Sequence, residues 1–291
     1  MHQHIKINND INLHYYQEGK GQPLLFIHGL GGSLNNWKYC YPYFLERGFE
    51  VIGLDLPGYG KSSKPLFPIS IPDYASILKD FIQGLELSAP PVLIGNSMGG
   101  HISSYFAAKY KSRLRALVLI DSSGLNELNL IEEYFVNLAF DKKNIANILR
   151  YMIDIFSVNL FHDPTNPNNY SFIEEQKEMS RQSDYPQYCY ALENSTKAML
   201  ETPLKDILTE IKVPTTIIWG ENDRLIPTFY AKKFKNLLPD APLHFINRCG
   251  HIVPLEKPDE LNDLILSFLS GLNLTMPQLQ KKKSIFSLFK K

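Results

Sequence analysis

The sequence predicts an α/β protein: a mostly parallel, twisted sheet of about eight strands flanked by helices, with a helical cap inserted into it. Three observations carry this. Short apolar runs of strand length, at residues 24–27, 92–94 and 116–120, lack the polar alternation of a half-exposed strand and read as buried on both faces. Stretches of helical spacing separate them, and strands that alternate with helices need right-handed crossovers that cover both faces of a parallel sheet. Between residue 125 and about residue 208 the alternation stops and only helical patches remain.

In chain order, residues 5–7 and 11–16 alternate around Asn8-Asn9-Asp10, the pattern of an antiparallel hairpin at a sheet edge. Residues 24–27 form a strand that runs into His28-Gly29-Leu30-Gly31-Gly32-Ser33, where Ser33 can cap a helix over residues 34–46. The strand at residues 49–54 leads to Asp55-Leu-Pro-Gly-Tyr-Gly-Lys-Ser62, a structural turn that needs Gly58 and Gly60 for backbone shape, and a helix follows over residues 74–87. After the strand at 92–94 and a helix over 101–110, the strand at 116–120 ends at Asp121. In the inserted segment, helices are expected at residues 131–140, 145–156 and 188–199, with a coil rich in Pro and Asn at 163–170. Phe135, Phe140, Tyr151, Phe156 and Phe161 either line an apolar pocket there or pack internally, with packing the commoner fate of aromatics at helical spacing. Strands at 215–219 and 243–246, with helices at 228–238 and 258–269, complete the fold. The domain reading is therefore a core of residues 1–124 and 209–271, a cap of 125–208, and a basic tail of 272–291.

Composition narrows the function classes. With 30 Lys and Arg against 30 Asp and Glu the formal net charge is zero, so no global field recruits nucleic acid. Cys40, Cys189 and Cys249 are odd in number and far apart, which fits free thiols in a reducing compartment. The first residues lack the apolar stretch of a signal peptide and no run reaches membrane-span length, so a soluble, cytoplasmic protein is expected. No metal or organic cofactor is implied.

Ligands of such sheets bind beyond the carboxyl ends of the strands, where His28, Asp55, Ser97 and Asp121 fall. Gly95-Asn96-Ser97-Met98-Gly99-Gly100 stands between an apolar strand and a helix. A serine wedged into so sharp a turn takes a strained backbone angle, and the residues two before and two after it must be glycine to avoid collision. The turn lifts the hydroxyl out of the sheet beside the free N–H groups of a helix N-terminus, as a nucleophile requires; the bland alternative is a serine that merely caps that helix.

Nucleophilic serine chemistry also needs a base, and an acid that fixes the base's tautomer. Of the 8 histidines, His251 follows the last predicted strand beside Gly250 and comes after the candidate acids in chain order. His2, His4, His14, His162 and His244 have no partner in view, His101 lies on the elbow helix, and His28 reads as a loop organiser rather than as the base. Asp223, beyond the strand at 215–219, leads as the acid, with Glu221 and Asp121 as fallbacks.

His28-Gly29-x-Gly31-Gly32, Asp55-Leu-Pro-Gly-Tyr-Gly-Lys-Ser, Gly95-Asn-Ser-Met-Gly-Gly, Gly220-Glu-Asn-Asp-Arg-x-x-Pro and Gly250-His251 together resemble the α/β-hydrolase fold family, in order over nearly the whole chain to about Gly271. The resemblance implies Ser97 as nucleophile, Asp223 as acid and His251 as base, with an oxyanion hole from the backbone N–H groups of Leu30 and Met98. His28, Gly29, Asn96 and Ile252 are the candidates for lining the substrate pocket. Serine at the elbow departs from the similar epoxide hydrolases and haloalkane dehalogenases, which carry Asp there, and Asn96 and Met98 depart from the Gly-Gly-Ser-Trp-Gly of proline iminopeptidases. The elbow is shared with hydrolases that cleave carbon–carbon bonds in ring-fission products. Those usually carry Trp after the catalytic His, where this chain has Ile252, and a Gly-Pro-Gly early loop where it has Gly-Leu-Gly-Gly.

The default expectation is a serine hydrolase acting on a small apolar carboxylic ester or thioester. The alternatives are a carbon–carbon bond hydrolase and a ligand-binding protein of the same fold without catalysis. The expected partner is a small molecule, and nothing in the sequence sets an oligomeric state. The end of the chain, from Lys281, carries five lysines around Ile285, Phe286, Leu288 and Phe289. It reads as a solvated tail, or else as a weak membrane-surface or partner-binding helix.

Overall fold

The computed structural model describes residues 1–125, 134, 136 and 138–274. Eight strands among them form one sheet in the order β1-β2-β4-β3-β5-β6-β7-β8. They are β1 (His2–Lys6), β2 (Asn12–Glu18), β3 (Pro23–Ile27), β4 (Glu50–Leu54), β5 (Val92–Asn96), β6 (Ala116–Ile120), β7 (Thr215–Gly220) and β8 (Leu243–Ile246). The β1–β2 hairpin is antiparallel and forms one edge, closed by a turn in which Asn8 Oδ1 accepts from the N–H groups of Asp10 and Ile11, both at 2.9 Å. β2 also lies antiparallel to β4, and every other neighbouring pair is parallel.

The central strands are buried on both faces, so alternate residues feed two separate cores. Leu25, Ile27, Leu93, Leu117, Leu119 and Trp219 face one core, closed by α2 (Ile71–Gly84), α3 (Met98–Lys109) and α9 (Phe229–Leu237). Leu24, Phe26, Val92, Ile94, Val118 and Ile120 face the other, closed by Trp37, Phe44 and α10 (Pro258–Gly271).

Some helices differ from their sequence expectation for local reasons. The helix expected at 34–46 is a 3-10 turn, Leu34–Trp37, capped by Ser33 as anticipated, followed by α1 (Tyr41–Leu45). Pro42 has no N–H and fits only the first turn of a helix, so the helix restarts there. α2 begins three residues before residue 74 because Ser70 and Asp73 cap each other's backbone and Pro72 sits in the first turn.

The chain between β6 and β7 contains α4 (Lys142–Tyr151), α5 (Ile153–Leu160), α6 (Pro167–Met179), α7 (Tyr185–Glu201) and α8 (Lys205–Leu208). The helix expected at 145–156 is broken in two at Met152, and the coil expected at 163–170 is overturned in its second half. Asn166 accepts from the Asn168 N–H and Pro167 occupies the first position, so the Pro- and Asn-rich run starts α6. Most of the expected helix at 131–140, the side chains of Phe135 and Phe156, and the lysine-rich tail from residue 275 lie outside the described residues. The segment leaves and rejoins the core at one point, where the Leu204 N–H donates to Gly124 O at 2.7 Å. His101 on α3 reinforces the junction, its Nε2–H donating to Thr202 O at 2.8 Å. No helix among the described residues is long and apolar enough to cross a membrane.

Candidate active site

Ser97 occupies the turn between β5 and α3 with φ 56° and ψ −118°, the strained backbone that its position demands. The flanking glycines are there for steric reasons. A Cβ on Gly95 would strike the Gly99 carbonyl, and one on Gly99 would strike the Ile27 carbonyl. The Ser97 N–H donates to Ile120 O at 2.9 Å, which ties the turn to the end of β6. Met98 opens α3, so its N–H has no partner within the helix.

The other strand ends bring the remaining groups to the same rim. Asp223, after β7, is buried; its Oδ1 accepts from the N–H groups of Leu225 and Ile226, both at 2.8 Å, and its Oδ2 lies 2.7 Å from His251 Nδ1. Two backbone donors and an imidazole thus fix one carboxylate, and the ring must carry its proton on Nδ1 to donate to it. That leaves Nε2 with a free lone pair. The loop of His251 is held on several sides: its N–H donates to Leu160 O (2.7 Å), the Gly250 N–H donates to Glu256 Oε2 (2.6 Å), and Asn96 Nδ2 donates to His251 O (3.2 Å).

Of the fallback acids, Glu221 is exposed. Asp121 is fully buried and accepts from the Gly220 N–H at 2.8 Å through Oδ1, while Oδ2 has no hydrogen-bond partner. Burial pushes its carboxyl well above the usual carboxylate range, and the nearby Asp223 pushes it further.

Ser97 and His251 line one cavity of about 280 Å³, together with Gly29, Leu30, Asn96 and Ile252. Among the described residues no hydrogen bond joins the Ser97 hydroxyl to the imidazole; the two meet as neighbouring walls of this cavity. Gly29 lies so close that a Cβ there would stand 2.9 Å from Ser97 Cβ, which brings the loop after β3 against the serine. Gly31, Asn36, Leu225 and Ile226 add to the wall from the core, and most of the rest comes from the segment between β6 and β7, including Phe140, Ile145, Leu149, Phe172, Leu192 and Met199. None of the described lining residues is Asp, Glu, Lys or Arg.

His28, a sequence candidate for the pocket wall, is not part of it. It is fully buried, its Nε2 accepts from the Leu56 N–H at 3.0 Å, and its Nδ1–H donates to Gly29 O at 2.7 Å. Burial depresses its pKa and keeps it neutral, so it organises the loop behind the cavity. His14 has the partner that the sequence did not reveal: its Nδ1 lies 2.6 Å from Asp55 Oδ2. Asp55 also accepts from the N–H groups of Leu34 and Lys61, at 2.7 and 2.9 Å, and so pins the turn after β4, where Gly58 and Gly60 have φ of 94° and 51°. Among the cap aromatics, Phe140 lines the cavity, Phe161 packs on Phe172, and Tyr151 is exposed. Sequence reasoning missed Phe172, Gln176 and Tyr188, which reach the cavity from α6 and α7. A helix-start signal at Asn166-Pro167 could have located the first two.

A family model described as the alpha/beta hydrolase fold matches residues 22–258. The chain belongs to the α/β-hydrolase fold family. Among its relatives in this family is a 2-hydroxy-6-oxononadienedioate/2-hydroxy-6-oxononatrienedioate hydrolase from Escherichia coli, 31% identical over 277 residues, covering 89% of this chain and 91% of that protein. A 2-hydroxy-6-oxo-6-(2'-aminophenyl)hexa-2,4-dienoic acid hydrolase from Metapseudomonas resinovorans is 28% identical over 276 residues, covering 89% and 88%. Among solved structures, a thermophilic esterase from Thermogutta terrifontis superposes with a TM-score of 0.77 at 26% identity, covering 92% of this chain and 98% of the esterase. The α/β-hydrolase relatives thus include both hydrolases named for dienoates and an esterase.

Proposed function

We propose that the protein hydrolyses a small, neutral, apolar carboxylic ester or thioester through an acyl-enzyme. The observation that carries this reading is the shared cavity: a serine on a strained elbow and an imidazole oriented by a buried carboxylate border one apolar space with no charged wall residue among those described. Ser97 Oγ attacks the carbonyl carbon while His251 Nε2 takes its proton, and the resulting imidazolium is stabilised by Asp223. The negative charge moves to the carbonyl oxygen, which the N–H groups of Leu30 and Met98 receive at about 3 kcal/mol per donor. His251 then protonates the departing alcohol or thiol oxygen or sulfur. Water repeats the sequence on the acyl-enzyme, which releases the acid and restores Ser97. Residues 125–208 act as the cap that shapes the acyl pocket over the core of residues 1–124 and 209–271.

The second reading, cleavage of a carbon–carbon bond, is favoured by the names of the curated relatives. It is disfavoured by the lack of Lys or Arg among the described lining residues, because a dienoate carries a carboxylate that would have to be received by neutral side chains such as Asn36, Gln176 and Thr196. p-Nitrophenyl esters from short to long, assayed beside a vinylogous diketone acid, decide between them. Faster turnover of the diketone acid than of every ester would overturn the ester reading. A fluorophosphonate that fails to label Ser97 in folded protein would overturn both and favour a binding protein.

A further inference from the structure

The Leu30 N–H belongs to a loop with glycine at positions 29, 31 and 32. Close packing dictates these glycines: side chains at 29 and 32 would crowd Ser97 and Asn36, and Gly31 has φ 73°. Glycine gives close approach but little conformational preference, so neighbours must hold the loop. The Gly29 carbonyl, in the same peptide as the Leu30 N–H, accepts from His28 Nδ1–H at 2.7 Å and from the Gly32 N–H at 3.1 Å, and two side chains of the inserted segment hold the other side of Leu30, at Gly31. Gln176 Nε2 on α6 donates to Gly31 O at 2.8 Å, and the Tyr188 hydroxyl on α7 donates to Gln176 Oε1 at 2.6 Å while lying 3.1 Å from the same carbonyl. The tyrosine therefore also sets which end of the amide faces the loop. Both side chains are buried, and Glu175 grips the next part of the loop by accepting from Ser33 Oγ and Asn35 Nδ2, each at 2.9 Å.

We infer that Gln176 and Tyr188 are positioning residues for the oxyanion hole, so that the hole is complete only when the helical segment is seated on the core. This rests on the assignment of Leu30 as a hole donor. A hole donor displaced by about 1 Å loses much of its effect on the transition state and little of its effect on substrate binding. The ester would still bind in the apolar cavity, and the developing oxyanion would be poorly received.

The test uses the full-length protein and the best p-nitrophenyl ester. Gln176→Glu keeps the size of the side chain and the acceptor for Tyr188 but loses the N–H donor. It should lower kcat by about 10- to 100-fold with KM within about threefold, and weaken a trifluoromethyl ketone, whose serine adduct carries an oxyanion, by the same factor as kcat/KM. Tyr188→Phe, which preserves the packing, should show the same split to a smaller degree. Folded variants with native kcat, or with a raised KM alone, would overturn the positioning role and leave the hydrolase reading intact. A wild-type protein that neither turns over esters nor reacts with a fluorophosphonate would overturn both.

Discussion

The sheet core and the helical segment between β6 and β7 are held by different physical means. In the core, strands such as β3, β5 and β6 are buried along their whole length, and each places side chains alternately into two apolar layers. The groups at their carboxyl ends are fixed by the backbone itself, as the Ile120 carbonyl fixes Ser97 and the N–H groups of Leu225 and Ile226 fix Asp223. The helical segment meets the core through side chains as well as apolar packing: Glu175 with Ser33 and Asn35, Lys64 with Asp184 at 2.8 Å, and Tyr59 with Ser195 at 2.8 Å. The groups at the strand ends are thus held by the backbone of packed strands, whereas the part of the cavity wall between β6 and β7 is attached by side-chain contacts that can be exchanged one at a time.

The sharpest way to break this comparison is at the core rim. Ser97→Ala should lower ester turnover by at least about 10^4-fold without loss of fold, measured by p-nitrophenolate release and circular dichroism. Substantial residual turnover would move the nucleophile elsewhere. Asp223→Asn should cost about 10^3- to 10^4-fold in kcat by spoiling the histidine tautomer. Asp121→Asn should leave kcat nearly unchanged, because burial already disfavours the charged form of Asp121; the reverse pattern would exchange the two acids.

Next in size is a pH effect at the junction. Burial depresses the pKa of His101 to about 4, against about 6.5 for an unfolded histidine. Between those values the unfolded chain takes up a proton that the folded chain refuses, so stability falls as pH drops through this window, by about 3 kcal/mol. His101→Gln should remove that portion of the acid sensitivity, read as the difference between urea unfolding at pH 7 and at pH 4. An unchanged difference would place the acid sensitivity in other groups. The smallest effect belongs to the wall. Leu149→Trp, on α4, should slow long-chain esters relative to short ones by about 1–2 kcal/mol in kcat/KM while short-chain turnover stays near native. Equal losses for all chain lengths would remove α4 from the acyl pocket.

The same division governs what the sequence revealed. Strand runs, glycine punctuation and the position of each polar residue just past a strand end are local signals, and they led to Ser97, Asp223 and His251 and to nearly all of the sheet. Asp223 and Asp121 both end strands and so carry the same local signal; in space, two backbone donors and the imidazole meet Asp223, whereas the Gly220 N–H meets Asp121. Gln176 and Tyr188 left no such trace. Their partner, Gly31, lies about 150 residues away, and the helix carrying Gln176 begins in a Pro- and Asn-rich run that imitates coil. His28 misled in the other direction, because a residue next to a glycine loop can turn either toward the cavity or behind it, and its bond to the Leu56 N–H turns it behind.

The hydrogen bond between Leu204 and Gly124 has an evolutionary implication. Because the excursion departs and returns side by side at this bond, its interior can lengthen, shorten or be replaced without disturbing the order of the strands. Grafting experiments should therefore cut there: an exchange between Gly124 and Leu204 carries the ligand preference of the donor, provided that it brings its own equivalent of the two side chains that reach Gly31.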